Sequence, residues 1–257
     1  MAKYVHLGAA ALVSTIMLTG GIANAAEITV LSVGSLRSSL TPLLSDFEKS
    51  SGYKVKMESG AAGAMVSRIQ KGEVVDVAIV TPVQIETLVA ERKVVSGTQV
   101  KIAKVGMGLA ASKSAGKPDI STIDGFKRAL LAAKSIGHTN PSGGASSAIY
   151  AAKLLASLDI ASELKAKINN TFPTNDDLFE ALRKGDVDLG FGQMTEIAAT
   201  PGVTFVGALP APVQNYSVYA AGVVASAKEP AAAKAFVGFL TAPATVAAMK
   251  AEGVESP

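Results

Sequence analysis

Short apolar runs that stop at glycine, serine or proline and lead into a helical pattern constrain the fold of this chain more than any other feature. The first run spans Ile28 to Val33 and turns at Gly34, and from Ser35 onward leucines recur at three- and four-residue spacing. Such a run suits a strand buried on both faces of a parallel sheet, and Ser35 is predicted to cap the helix that follows. Open α/β sheets bind ligands where such a helix begins, so we expect an anion at this opening.

The same pattern recurs and predicts an α/β fold of two lobes. Strands are expected at 53–57 and 76–80, each followed by a helix, which describes a mainly parallel sheet. The apolar run from Val100 to Ala111 has no helix cap, so it is predicted to cross as extended chain to a second lobe, with Gly106 and Gly108 as hinge candidates. We expect residues 26–108 and 194–257 in lobe 1, residues 109–193 in lobe 2, and a ligand cleft between them.

Two local expectations accompany this division. Ser121 is predicted to cap the first helix of lobe 2. The apolar segments 203–206 and 217–225 are predicted to be strands that return to the first sheet, before two alanine-rich helices end the chain. Each lobe is then a mainly parallel sheet flanked by helices.

Residues 1–25 carry the pattern of a signal peptide. Lys3 supplies a basic start, an apolar stretch follows, and an Ala-Asn-Ala site ends at Ala25. Cleavage near Ala25 predicts a periplasmic protein without membrane insertion once the signal is removed. Cysteine is absent, which excludes disulfides, thiol catalysis and thiolate metal sites. The formal net charge is +3, with no basic run and no interleaved aromatics, so no nucleic acid partner is expected.

Several motifs together resemble a known family, the type II periplasmic solute-binding proteins, and within it the molybdate-binding branch of ABC transport. These motifs are the strand-Gly-Ser-Leu opening at 30–36, the Arg-Ile-x-x-Gly helix end at 68–72, and Val-Asp-Val-Ala-Ile-Val at 75–80. The resemblance covers nearly the whole chain after residue 25. It implies a monomer that captures a small anion, an oxyanion or a small carboxylate, for an ABC permease, with neither cofactor nor metal.

The resemblance also suggests which residues bind the anion. Ser35 matches the family's first serine, whereas the second falls near Gly63, with Ser59 as a substitute, and the family's tyrosine falls at Gln193. Helix openings and strand ends supply neutral donors that avoid the cost of burying an opposite charge. The predicted ligand-binding residues are Ser35, Arg37, Ser59, Gly60, Gly63, Ser146, Ser147, Gln193 and Thr195. Arg37 and Arg68 are the nearest cations, unless both lie on solvated helix faces.

A second resemblance keeps an enzyme open as the alternative. The stretches 118–121, 189–196 and 201–203 are similar to a branch that includes periplasmic aconitate isomerases, which implies cis/trans-aconitate interconversion on the same fold. Moving a double bond requires a group that removes a proton and one that returns it. His138 is the predicted catalytic residue in that case, with Glu58 and Glu196 as the other candidates. Ligand contact and packing both remain open for the tyrosines Tyr150, Tyr216 and Tyr219.

Overall fold

The computed structural model describes residues 26–168 and 170–257, so the signal peptide predicted at 1–25 lies outside the described residues. Strands and helices alternate along most of the chain, as the sequence predicts. The strands are β1 Glu27–Val33, β2 Lys54–Gly60, β3 Val77–Val80, β4 Val100–Ala111, β5 Ile136–Thr139, β6 Asn170–Phe172, β7 Leu189–Gln193, β8 Thr204–Ala208 and β9 Tyr216–Val223. The helices are α1 Arg37–Ser51, α2 Ala62–Gln70, α3 Pro82–Ala90, α4 Ile123–Ala132, α5 Ser146–Ser157, α6 Ala161–Leu164, α7 Asn175–Lys184, α8 Met194–Ala198, α9 Pro230–Leu240 and α10 Pro243–Ala251.

The strands form two lobes that share one hydrogen-bonded path, β2-β1-β3-β9-β4-β7-β5-β6, with β8 attached to β4. In lobe 1, β1 runs parallel to β2 and β3, and β9 pairs antiparallel with β3. In lobe 2, β5 runs parallel to β6 and β7. Parallel strands place their carboxyl ends, and the helix starts that follow, at one edge of each sheet. The predicted two-lobed α/β fold is confirmed.

β4 belongs to both lobes. Its first half pairs antiparallel with β9 as far as Gly106, and its second half, from Met107, pairs with β7. Val105 packs in the lobe 1 core and Met107 in the lobe 2 core, so the crossing occurs within two residues. A Cβ on Gly106 would lie 2.8 Å from Met194 Cε and 3.2 Å from the Tyr216 ring, so a larger residue at the crossing would require these side chains to move. The predicted extended crossing is confirmed, while the hinge role of Gly106 and Gly108 stays a prediction.

The segment after β7 differs from the expectation. The strand expected at 203–206 was predicted to rejoin the first sheet, and this prediction is wrong, because β8 pairs antiparallel with the second half of β4. That pairing buries Val206 and Leu209 in a lobe 2 core and packs Phe205 against the neighbouring cluster around Ile197. Lobe 2 therefore extends beyond the predicted range of 109–193. The strand expected at 217–225 does return to the first sheet, as β9.

Two predicted helix caps are also wrong. A 3-10 turn, Gly34–Leu36, precedes α1, which makes no side-chain cap hydrogen bond, so Ser35 is not its cap. At α4 the cap is Thr122, whose Oγ1 accepts from the Gly125 backbone N–H at 3.1 Å, and not Ser121.

The chain ends in α9 and α10, which pack on lobe 1. Phe236 of α9 meets Phe47 of α1 edge to face, with ring centroids 5.0 Å apart. Within 26–168 and 170–257, no single helix reaches the length and hydropathy of a membrane span, although α9 and α10 together reach them across a bend of 59°.

Candidate functional site

A cavity of about 710 Å³ lies between the two lobes. Lobe 1 lines it with the β1–α1 turn, the start of α1, the β2–α2 turn and Tyr219 of β9. Lobe 2 lines it with residues between β5 and α5, the start of α7, and the segment from Gln193 to Pro201. Of the predicted ligand-binding residues, the lining includes Ser35, Arg37, Ser59, Gly60, Ser146, Ser147 and Gln193.

Three long helices begin at this cavity, and their first turns have no side-chain caps. The residues before α1, α2 and α5 are Leu36, Ala61 and Ala145, and none of them provides a cap hydrogen bond. The first backbone N–H groups of a helix lack partners within the helix, and the helix dipole favours a negative charge beside them. These helix starts therefore place backbone N–H donors at the cavity wall.

Ser35 provides a free hydroxyl inside the cavity. Its side chain is only 3% exposed, and its Oγ has no hydrogen-bond partner, although it lies close to the Tyr219 hydroxyl. The Ser35 carbonyl accepts from Thr195 Oγ1 at 2.6 Å, which ties lobe 1 to the segment after β7. Buried hydroxyls without partners are costly, so this Oγ is a donor available to a ligand.

A chain of hydroxyls forms the inner wall behind Ser35. Ser217 Oγ lies 2.8 Å from Ser146 Oγ, and the Tyr219 hydroxyl lies 3.3 Å from the same atom. With the Gln193 carboxamide oriented to satisfy both ends, its oxygen accepts from Ser217 and its nitrogen donates to the carbonyls of Val105 and Gly106. Gln193 thus holds the hydroxyl chain against the crossing strand.

Glu196 is a partly buried acid that lines the same cavity. Its Oε2 accepts from Asn175 Nδ2 at 2.7 Å, and a Cβ on Gly34 would lie 2.5 Å from its Oε1, so a larger residue at that turn would displace the Glu196 side chain. Burial raises the pKa of Glu196 to about 7, although Asn175 and the positive charge of Arg37 lower it in part. This carboxyl can therefore gain or lose a proton near neutral pH.

Arg37 lies at the mouth of the cavity. Its Nη2 donates to the Ser59 carbonyl at 3.2 Å, and its Nη1 lies 4.0 Å from Asp176 Oδ2. The side chain is 53% exposed, so solvent screens this ion pair and leaves the guanidinium able to meet an entering anion.

Arg68, the other predicted cation, lies outside the cavity lining. It is paired with Glu58 at 2.8 Å and with Glu73. The hydrogen bond from Arg68 lowers the pKa of Glu58 and keeps that carboxylate charged. Neither Arg68 nor Glu58 lines the cavity, and both are engaged in ion pairs.

Three further predicted site residues, His138, Thr195 and Gly63, do not line the cavity. His138 is 6% exposed and its Nδ1 lies 2.8 Å from the Thr139 carbonyl, whereas Thr139 itself lines the cavity. The structure therefore places His138 outside the cavity lining, and its catalytic role stays a prediction. Thr195 joins the lobes through its bond to Ser35. Gly63 also touches the opposite lobe, since its N–H donates to the Gly144 carbonyl at 3.3 Å.

The three candidate tyrosines differ in their positions relative to the cavity. Tyr219 is buried at the cavity wall, and burial raises the pKa of its hydroxyl. Tyr150 packs in lobe 2 and donates to the Val213 carbonyl at 2.8 Å, while Tyr216 is exposed beneath Lys104. The sequence leaves both roles open for Tyr219, and its place within the return strand β9 is the one signal for a position at the cavity wall.

Comparison with known proteins shows the following similarities. The family model described as bacterial extracellular solute-binding protein matches residues 28–255. An aconitate isomerase from a Pseudomonas species is 28% identical over 257 residues, covering 97% of this chain and 94% of that protein.

Solved structures share the fold. The periplasmic molybdate-binding protein of Azotobacter vinelandii has a TM-score of 0.72 at 24% identity, over 90% of this chain and 99% of its own. The binding protein AgtB of A. tumefaciens R10, in complex with agropinic acid, has a TM-score of 0.66 at 15% identity, over 90% of this chain and 83% of its own. Because the family match extends from β1 to the end of the last helix, the chain belongs to the bacterial extracellular solute-binding proteins.

Proposed function

We propose that this protein is a periplasmic binding component that closes its two lobes on a small organic carboxylate and presents it to an ABC permease. The observation that carries the proposal is the cavity, whose volume of about 710 Å³ lies within the range of about 300–1,000 Å³ typical of organic ligands. A single tetrahedral oxyanion would leave most of that space unfilled. The carboxylate alternative is therefore favoured over a molybdate-like oxyanion.

The lining supports an anion with several acceptor groups. Free helix N–H groups and the Ser35 hydroxyl can hold one carboxylate deep in the cleft without a buried cation. Arg37 at the mouth can hold a second carboxylate as a bidentate partner. One set of donors deep in the cleft and a second at its mouth favour a di- or tricarboxylate.

The test is a thermal-shift and calorimetric screen against citrate, cis-aconitate, trans-aconitate, molybdate, tungstate, sulfate and phosphate. A ligand that binds only the folded state raises the melting temperature, and the stabilisation grows with the logarithm of the ligand concentration divided by Kd. We expect stabilisation by at least one tricarboxylate, reduced in Ser35→Ala and retained in the matched control Ser121→Ala, which changes an exposed serine of lobe 2. Stabilisation by molybdate alone would contradict the proposal.

A second candidate function, isomerisation of aconitate, is favoured by Glu196. The Pseudomonas relative is an aconitate isomerase, and Glu196 is an acid in the cleft whose pKa of about 7 suits general acid–base work. As a carboxylate it would remove a proton from the CH₂ next to the double bond. The electron pair of that C–H bond moves the double bond along the allylic system, and the same carboxyl returns the proton to the far carbon.

This candidate is tested by following cis/trans-aconitate conversion by absorbance, with deuterium uptake from D₂O as the second readout. Turnover that Glu196→Gln abolishes, while His138→Ala retains it, would support the enzyme. Binding of aconitate without conversion or deuterium uptake would contradict the enzyme and leave only the transport role.

A further inference from the structure

We infer that the complex with a carboxylate ligand holds Glu196 in its protonated form, so that capture of the ligand takes up one proton from solution. The inference rests on the proposed function, because it needs a carboxylate in the cleft. In this complex Glu196 acts as a neutral hydrogen-bond donor. Its protonation accompanies binding of an anionic ligand but not of a neutral one.

Contacts on two sides hold the Glu196 carboxyl at the cavity wall. On one side, its Oε1 is pressed against the Gly34 turn at the end of β1. On the other side, its Oε2 accepts from Asn175 of α7. The Glu196 carboxyl therefore lies in the same part of the cavity as Ser35 Oγ, which has no hydrogen-bond partner. A carboxylate bound by Ser35 and the free helix N–H groups would share this opening with the Glu196 carboxyl.

Two carboxylates in one desolvated site hold a proton between them, since like charges at close range cannot both remain ionised. The charged and titratable groups that face Glu196 do not change this outcome. Arg37 of α1 and Asp176 of α7 oppose each other, and both are largely solvated at the mouth. Tyr219 of β9 stays neutral, because burial raises the pKa of its hydroxyl.

The empty cleft is already close to the protonated state. Burial raises the pKa of Glu196 to about 7, and the negative charge of a ligand acts in the same direction. Once protonated, the acid has an O–H to donate to a ligand oxygen, while Asn175 still donates to the other side of the carboxyl. A ligand without negative charge would meet the same carboxyl but take up no proton.

The experiment is isothermal titration of the protein with trans-aconitate at pH 8, where the ligand is ionised, in two buffers of different protonation enthalpy. We expect about one proton taken up per ligand, and a Kd that weakens by about tenfold per pH unit between pH 7.5 and 8.5. Glu196→Gln carries a neutral amide that also donates, so it should bind with little pH dependence and no proton uptake. Glu86→Gln, which changes an exposed acid on α3, should behave as the wild type.

The outcomes of this experiment distinguish failure of the inference from failure of the proposed function. Binding by the wild type without proton uptake, or uptake that persists in Glu196→Gln, would overturn this inference and leave the proposed function intact. If neither trans-aconitate nor any other anion of the screen binds the wild type, the proposed function fails and the inference fails with it. Circular dichroism and the melting temperature of Glu196→Gln establish that the variant is folded.

Discussion

Replacing Gly63 by alanine should prevent the cleft from closing without unfolding either lobe. Gly63 lies in the first turn of α2 and has no positive φ, so alanine fits its backbone. The obstacle is on the other lobe, because the new Cβ would lie 2.9 Å from both Gly144 Cα and the Gly143 carbonyl oxygen. Gly144 cannot serve for this test, since its own φ of +72° favours glycine regardless of the contact.

The size of the effect follows from these distances. Carbon atoms pack at about 3.5–4.0 Å, so the lobes must separate by roughly 0.6 Å or more at this point. Such a movement stretches the Gly63 N–H to Gly144 carbonyl bond beyond its present 3.3 Å. Overpacking of this kind costs about 1–3 kcal/mol, which corresponds to ligand binding weaker by about 5- to 150-fold. We expect the empty protein to relieve the clash by separating its lobes at this contact, and alanine is a better helix former than glycine, so its stability is retained.

The assay compares two quantities in the same variant. Gly63→Ala should keep or raise the melting temperature of the ligand-free protein while weakening the calorimetric Kd for a tricarboxylate. Small-angle scattering with saturating ligand should show a larger radius of gyration than the wild type. Gly238→Ala is the matched control, since it changes a helical glycine of α9 outside the cavity lining, where a Cβ meets nothing within 4 Å. An unchanged Kd in Gly63→Ala would refute the view that this contact belongs to the ligand-bound state.

The remaining predictions concern charge. The pKa of Glu196 is raised from 4.5 to about 7, so its contribution to stability is complete below pH 4.5 and is lost as the pH rises through 7. As the pH rises from 4.5 to 8, the free energy of unfolding of Glu196→Gln, measured with denaturant, should increase by up to about 3 kcal/mol relative to the wild type. Parallel plots of the free energy of unfolding against pH would contradict this. Arg37→Ala should weaken tricarboxylate binding by about 5- to 10-fold at low salt, and less at high salt, measured by calorimetry. Asp76, which is buried and accepts from the backbone N–H groups of Thr29 and Glu229, is structural. Asp76→Ala should lower the free energy of unfolding by about 3 kcal/mol, whereas an unchanged denaturation midpoint would refute this role.

Most of the fold could be predicted because its elements are marked locally. β1 follows from its β-branched run, α7 ends where Gly185 takes a left-handed conformation, and α9 and α10 each begin with a proline. The partner of β8 could not be predicted, since five residues contain no signal for the sheet edge they join. β8 pairs with the free edge of β4 in lobe 2, and this tertiary contact determines which sheet it joins.

The candidate site was predictable only in part, for a related reason. Ser35 was identified as a helix opening, but the 3-10 turn that makes its hydroxyl available has no sequence signature. His138 and Thr139 are neighbours on β5, and successive side chains of a strand face opposite ways, so only the register could tell which one reaches the cleft. Glu196 reaches Gly34 through tertiary packing of α8, about which periodicity says nothing.

The meeting of the two crossing segments has a further consequence. Where lobe 2 leaves lobe 1 at Met107 and returns at Asn215, the Met107 N–H donates to the Asn215 carbonyl at 3.0 Å. An insertion whose two ends are adjacent can be exchanged as a cassette without disturbing its host. Residues 107–214 supply Glu196, Ser146 and the other lobe 2 wall of the cavity. Recombination at this one junction would therefore change half of the ligand contacts in a single step, while lobe 1 kept its own half.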